Sequence, residues 1–578
     1  MRFERTTVDK NQTAERDGET DHDFGIEGAG ITKSSSRNRD PKYGTSPSEK
    51  TERPEKVEMP KGAQRPERAE NSKATELPEK ALIPKGAQIP EKGEISKETE
   101  MPAAEISKET EIPEAEISKE TEIPEKAEMQ KKSTVRDMTE GSIAGHLTAF
   151  ALPLLFGNVF QMLYNTVDSI VVGNFVGTEA LAAISSTTMI VNIMIFFFNG
   201  FSIGGGVVIS RYFGARKLQE LHRTVETAIA VTILFGIFFT LAGFVLVPAM
   251  LKLMQTPEDV FPQAKVYLEI YFGGALGLLL YNMGSGILRA VGDTKRPLYF
   301  LIFTSLLNTV LDLFFVIVLK AGIAGAAYAT IISQFLSAFL VLLLLLRTED
   351  IYKLTLKDLK IDLPILKMIF GIGLPTGIQS VITSVSNVFV QSYINGFGSG
   401  CMAGWGAYNK LDSFIFLPIN SLSQAATTFV SQNIGAGRTE RANKGAARSI
   451  QMAIGVTAVI ATILIVLAPQ ATALFTNDEE VIYYGVLFLR MNTYFLMFNA
   501  VNHVLAGALR GRGESRVPMF CMLLCFVLIR QIYLFIGSRI AYTPYVVGFG
   551  YPVGWMTCCV LELTYFIRFR NRHVSERI

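Results

Sequence analysis

The sequence predicts an all-α integral membrane protein, with twelve transmembrane helices in two homologous six-helix bundles preceded by a disordered tail. Three features predict it: an abrupt change of composition near residue 140, twelve apolar runs beyond that point, and motifs that recur at one fixed spacing. The total charge of +2 and the positive mean hydropathy hide this division. Residues 1–140 are polar and charged, with Glu and Lys nearly cancelling, whereas residues from 143 onward are apolar runs separated by short basic loops.

Within the tail, residues 94–100, 105–111 and 116–122 each read Glu-Ile-Ser-Lys-Glu-Thr-Glu, an eleven-residue period. Such a period suits a right-handed supercoil, but Pro102, Pro113 and Pro124 interrupt every unit and break helix propagation. One isoleucine per unit buries too little apolar area to offset chain entropy. The expectation is therefore a disordered low-complexity extension on the cytoplasmic side. The opening Met1-Arg2-Phe3-Glu4-Arg5 has no apolar core, so no cleavable signal is expected.

About twenty apolar residues span a bilayer. Runs of that order lie at 147–172, 180–210, 226–250, 265–288, 298–319, 322–346, 366–394, 402–431, 449–470, 481–507, 518–538 and 545–567. Only helices satisfy their own backbone in lipid at this length, and the alternating ten-residue segments of a membrane barrel are absent. Basic residues crowd alternate loops: Arg211, Arg216 and Lys217, then Arg289, Lys295 and Arg296, then Arg438, Arg441 and Lys444, then Arg510, Arg512 and Arg516. The opposite loops hold isolated cases such as Lys252, Lys320 and Arg539. The positive-inside rule then places both termini in the cytoplasm.

The domain is duplicated, with 143–362 as the N-terminal bundle and 363–578 as the C-terminal one. Gly214-Ala215 is matched by Gly435-Ala436, Leu288-Arg289 with Pro297 by Leu509-Arg510 with Pro518, and Asn174 with Gly177 by Asn395 with Gly398, every pair 221 residues apart. Six helices per half give parallel repeats, which place a substrate cavity at their interface. This is the organisation of a transporter. Two bundles enclose a cavity within one chain, so a monomer is expected.

An ionisable residue deep in a span is costly and is a functional candidate by default. Asp168 lies in the first helix, Asn308 and Asp312 share one face of the fifth, and Thr330 lies in the sixth. At 1.5 Å per residue, Asp312 sits about 10 Å, Thr330 about 12 Å and Asp168 about 6 Å below the outer helix ends. Two carboxylates, an amide and a hydroxyl thus meet in the outer half of the first bundle. That set suits Na+, and crowded carboxylates in low dielectric equally suit H+. No other metal and no cofactor is expected, because the histidines and the five cysteines have no ligand spacing. The cysteines read as small buried hydrophobes.

The second half has no aspartate matching Asp168 or Asp312. It offers Asp412 and Arg530, which with Gln161 and Asn165 of the first helix are candidates for the substrate cavity. Asp412 is expected to pair with Arg530. Paired histidines, a metal cluster or a nucleophile with its base are missing, which argues against an enzyme.

The run from Gln161 to Asp168 with Val172-Gly173, Leu288-Arg289-Ala290-Val291-Gly292-Asp293, Asn308 with Asp312, Gly322 with Gly325-Ala326-Ala327, and Ser431-Gln432-Asn433-Ile434-Gly435-Ala436 together resemble the multidrug and toxic compound extrusion (MATE) family. The resemblance covers the membrane domain only. Its branch is the one with the cation site in the N-terminal bundle, because the acidic residue that the other main branch carries in helix seven is missing from 366–394. The resemblance implies a V-shaped pair of bundles in a bacterial cytoplasmic membrane. It also implies export of organic cations or amphipathic drugs in exchange for H+ or Na+ by alternating access, with Asp168, Asn308, Asp312 and Thr330 binding the ion. Its partners would be a small-molecule substrate and the lipid bilayer, with no nucleic acid. The alternative is a flippase of lipid-linked oligosaccharide or peptidoglycan precursors from the same superfamily. Such flippases cluster arginines in the cavity, whereas Arg530 stands nearly alone.

Overall fold

The computed structural model of the chain describes residues 135–570, so the expected disordered tail and its repeats lie outside the described residues. Twelve helical rods follow one another. They are α1 (Ile143–Phe175), α2 (Thr178–Gly214), α3 (Leu218–Leu253), α4 (Phe261–Gly273 with Ala275–Ala290), α5 (Lys295–Val318) and α6 (Gly322–Arg347). The second set is α7 (Leu363–Asn395), α8 (Ser399–Gly435), α9 (Thr439–Val466), α10 (Glu479–Thr493 with Leu496–Gly511), α11 (Arg516–Ile540) and α12 (Pro544–Phe569). The matches between halves are close: α1 and α7 each have 33 residues, and α2 and α8 each have 37.

Among the described residues, nine helices are long and apolar enough to cross a bilayer, and the two bent pairs raise that to 11. The remaining rod is α8, which carries Lys410, Asp412, Gln424, Gln432 and Asn433. Its neighbours bury much of it, Gln432 and Asn433 completely, so lipid is not its main solvent. The lipid-facing pattern is clearest on α3. Leu234, Ile237, Phe238, Leu241 and Val245 are exposed at helical spacing, Val245 by 76%, while Ala228, Thr232, Gly236 and Gly243 face inward. Apolar outside and small or polar inside is the order that a hydrocarbon solvent selects.

The two broken spans do not break at prolines inside helices. Pro153, Pro375 and Pro418 lie inside helices, but the bends of 46° and 54° are in α4 and α10. Gly274 and Phe495 at those bends are 221 residues apart. Gly274 packs so closely on α6 that a Cβ there would meet Ile331. Gly177 and Gly398, also 221 apart, precede α2 and α8 with φ of 121° and 93°. Those backbone angles strain any residue with a Cβ, which explains one of the repeated motifs. The five cysteines are free, four of them buried.

The halves meet backbone to backbone in two places. Mid-span, α2 and α7 each carry a Gly-x-x-x-Gly pair, Gly200 with Gly204 and Gly373 with Gly377. A Cβ on Gly200 would meet Gly377, and one on Gly204 the Ile369 carbonyl. Such pairs let helices approach where no hydrophobic force drives them together. At the end with the basic loops, Gly214 lies against the Gln432 carbonyl and Gly435 against the Arg211 carbonyl. The two contacts exchange under the 221-residue repeat, as a pseudo-twofold axis requires. Ser431 Oγ donates to the Val207 carbonyl at 2.7 Å and Gln432 Nε2 to the Ala290 carbonyl at 2.9 Å.

Residues 135–140, which the sequence assigned to the tail, bind across this junction. Arg136 N–H donates to Val291 O at 3.0 Å in the first half, and Met138 N–H to Gln432 Oε1 at 3.0 Å in the second. Arg438 and Arg441 donate to the Thr139, Met138 and Glu140 carbonyls. Met138 is fully buried among Leu147, Phe150 and Phe429 of one core cluster. The basic end is therefore closed in this conformation.

Candidate functional site

Three polar stripes converge away from the basic end. On α1, Gln161, Tyr164, Asn165 and Asp168 recur at three and four residues, so they share one face. On α5 the stripe is Ser305, Asn308 and Asp312; on α6 it is Thr330, Ser333, Gln334 and Ser337. The Ser337 hydroxyl donates to Thr304 Oγ1 at 2.8 Å and sets the register of antiparallel α5 and α6. Seven residues back from Ser337 and eight on from Thr304 are both about 10–12 Å along their helices, which brings Thr330 level with Asp312. The α1 helix runs to Phe175, three residues beyond the apolar run read from sequence. Asp168 therefore lies about 10 Å inside its end, at the depth of the other three.

The interior of this cluster holds many polar atoms that no protein group partners. Asp312 is 0% and Asn308 2% exposed. Both Asp312 carboxyl oxygens, both Asn308 amide atoms, Asp168 Oδ1, Ser305 Oγ, Ser333 Oγ and Gln334 Oε1 are buried with no hydrogen-bond partner. Asp168 and Asp312 are close enough to act on each other's charge, and Tyr164, Tyr267 and Tyr271 line the same space. The Thr330 hydroxyl donates to Ala326 O at 3.0 Å, which leaves its oxygen lone pairs for a cation. Buried polar groups are normally satisfied, so this many orphaned polar atoms around two carboxylates fit a site that takes up a hard cation or protons. The tyrosines of α4 and the Ser305, Ser333 and Gln334 side chains were not singled out from sequence. Their signal was helical spacing from Asp312 and Thr330.

Directly beyond Asp312, Phe314–Val318 forms a π-helical turn, and Leu523–Ile529 forms another directly before Arg530. Such insertions shift side-chain facing at a point and are common at functional sites.

The second bundle is built differently at the matching level. Arg530 is 1% exposed. Its Nη2 donates to Ser386 Oγ at 2.6 Å and Asn387 Oδ1 at 3.0 Å, and the guanidinium lies 4.9 Å from the Tyr551 ring centre. Ser386 and Tyr551 occupy the repeat positions of Asn165 and Thr330. The ion pair expected between Asp412 and Arg530 is not formed: neutral partners hold the arginine, and Asp412 Oδ1 is buried without a partner. Gln161 and Asn165 are exposed on α1. Between α2, α3, α4 and α7 lies an apolar cavity of about 410 Å³, lined by Ile190, Met194, Phe197, Phe239, Phe272 and Ile382 among others.

The MatE family matches residues 153–314 and again 375–536, once in each half. The chain is 32% identical over 400 residues to the probable multidrug resistance protein YpnP of Bacillus subtilis, covering 68% of this chain and 88% of that one. It is 21% identical over 438 residues to the multidrug export protein MepA of Staphylococcus haemolyticus, covering 76% and 96%. A solved MOP superfamily transporter from Pyrococcus furiosus, described by a reversed polarity of its binding pocket, shares the fold with a TM-score of 0.72 at 23% identity, covering 75% of this chain and 98% of that chain. With two six-helix halves, a family match in each and a relative aligned across most of its length, the chain belongs to the MatE family of multi-pass membrane efflux transporters.

Proposed function

We propose that the chain is a secondary antiporter that exports organic cations or amphipathic drugs in exchange for H+ or Na+. It acts by alternating access across a bacterial cytoplasmic membrane, with the basic loops inside and the chain working as a monomer. The observation that carries this reading is the buried cluster of Asp168, Asn308, Asp312 and Thr330, with two carboxylates whose buried oxygens no protein group partners. Two carboxylates in a low dielectric repel when both are ionised. A bound cation or proton relieves that repulsion and lets α1, α5 and α6 close on one another, so ion occupancy biases the packing of the first bundle. The closed basic end leaves the opposite side as the route for loading the ion. The Gln161 and Asn165 amides, Asp412 and the apolar cavity near Phe197 are suited to a substrate with a charged or polar group on an apolar body. Names given to relatives, multidrug resistance and multidrug export, support the substrate class.

One positive charge descending 100 mV supplies about 2.3 kcal/mol. At about 1.4 kcal/mol per decade this sustains a gradient somewhat under a hundredfold. Purified chain in proteoliposomes, loaded with ethidium under either a pH or a sodium gradient, tests the proposal. Transport driven by one gradient and lost in Asp312→Asn supports it and identifies the ion, whereas equal transport in both proteins refutes the site.

A further inference from the structure

The duplication supplies an internal control, because each polar group in one half can be compared with its twin 221 residues away. Ser202 Oγ donates to the Asn282 carbonyl at 2.7 Å, and its twin Ser423 Oγ to the His503 carbonyl at 2.6 Å. Arg289 is the twin of Arg510. The Ser337–Thr304 hydrogen bond that joins α5 to α6 corresponds to a thiol contact between Cys558 and Cys525 that joins α12 to α11. Near the basic end the halves part at another place. Val341 of α6 is 0% exposed in an apolar setting; its twin is Glu562 of α12, also 0% exposed. The fold accepts valine there, so packing does not require the carboxyl.

The buried Glu562 carboxyl oxygens meet no nitrogen or oxygen donor, and the Cys558 thiol is their hydrogen-bonding neighbour. The groups that face it are Arg510 from α10, Cys521 and Cys525 from α11, and Cys558 and Cys559 from its own helix. His503 lies beside Arg510. Arg510 acts on the charge of Glu562 without forming a direct ion pair among the described residues. Its Nη2 donates to Ser423 Oγ at 3.2 Å, and its Nε is buried without a partner. An ionised carboxylate met only by a weak thiol donor is costly in such surroundings. Two arrangements avoid that cost. Either the carboxyl carries a proton while Arg510 stays on Ser423, or it is ionised and turns to the free Nε of Arg510.

We propose that Glu562 is a second proton-binding site, which exchanges a proton with the side of the basic loops as its carboxyl moves onto and off Arg510. This rests on the reading that transport is coupled to a cation gradient. The site differs from the first in bundle and in depth. Glu562 lies seven residues before Phe569, about 10 Å from the basic end of α12, whereas Asp312 lies near the far end of α5. In the closed conformation described above no solvent reaches it.

The test is infrared difference spectroscopy of the purified full chain during pH titration, following the C=O stretch of protonated carboxyls. The proteins are wild type, Glu562→Gln, Glu562→Val and Asp312→Asn. Valine reproduces the twin half, so that variant guards against misfolding of the glutamine one. The expected result is a titrating band present in wild type and Asp312→Asn and missing from both Glu562 variants. An unchanged band pattern in folded Glu562→Gln or Glu562→Val overturns the proposal, because the carboxylate would then be a permanent counter-charge to Arg510. In proteoliposomes with an imposed pH gradient, loss of one coupled proton lowers the steady ethidium ratio about tenfold per pH unit. An unchanged ratio in the Glu562 variants overturns the coupling. Should Asp312→Asn also leave that ratio unchanged, the first-bundle reading fails on its own account.

Discussion

Replacing Gly214 or Gly435 with alanine should open the basic end. A Cβ on Gly214 meets the Gln432 carbonyl, and one on Gly435 meets the Arg211 carbonyl. Both obstacles are backbone, so no side chain can turn aside. If the contact is kept, overpacking costs about 1–3 kcal/mol. If α2 and α8 part instead, the 2.7 Å Ser431–Val207, 2.9 Å Gln432–Ala290 and 3.0 Å Met138–Gln432 hydrogen bonds are lost, at about 1 kcal/mol each. Either route disfavours closure by roughly 2–3 kcal/mol, close to a hundredfold in population at 1.4 kcal/mol per decade. The assay is the rate at which a water-soluble maleimide labels a single cysteine at position 207, now 1% exposed, with the five native cysteines replaced. Gly371→Ala is the control, since a Cβ there meets nothing within 4 Å. Faster labelling in Gly214→Ala and Gly435→Ala, with Gly371→Ala like the parent, is expected. Equal labelling in all four folded proteins refutes the argument that these glycines hold the end shut.

Three further outcomes follow from the packing. Met138→Ala removes a fully buried side chain from a core shared with Leu147 and Phe429; a loss of about 2–5 kcal/mol, read as earlier thermal unfolding in detergent, is expected. Arg530→Lys gives up the planar guanidinium that lies on Tyr551 while its Nη2 reaches both Ser386 and Asn387, and lysine is no substitute at a stacked site. Its thermal stability should fall while Arg539→Lys, at a helix end, stays near the parent. Deleting residues 1–134, whose composition predicts a solvated extension, should leave unfolding temperature and gradient-driven transport unchanged; a lower transport rate in the truncated protein contradicts that.

The division between what was and was not legible follows the length scale of the forces. Apolar runs and basic loops are local signals, so the rods and the repeat emerged from them, including α8, which is too polar to pass by composition alone. Asp168 and Asp312 stand out in the sequence because charge inside an apolar run is costly wherever it sits, and Asn308 and Thr330 joined them only through helical spacing and depth. Met138 was missed because its burial depends on Gln432, Asn433 and Arg441, some three hundred residues away. The partners of Arg530 were missed for the same reason: charge alone suggested Asp412, whereas the fold brings Ser386 and Asn387. The bends at Gly274 and Phe495 carry no proline at the break, so local chemistry did not mark them. Glu562, inside an apolar run, carried the same local signal as Asp312 and was passed over beside the arginines of the next loop.

The most direct test of the central claim is ion binding to the first-bundle cluster without transport. Purified wild type and Asp312→Asn are titrated with sodium at several fixed pH values in an isothermal calorimeter, with potassium as control, and the protons released are counted in a weak buffer. The account predicts that wild type binds sodium with proton release or, if protons alone couple, takes up protons cooperatively without sodium, and that Asp312→Asn does neither. Identical ion binding and proton exchange in the two proteins would contradict it.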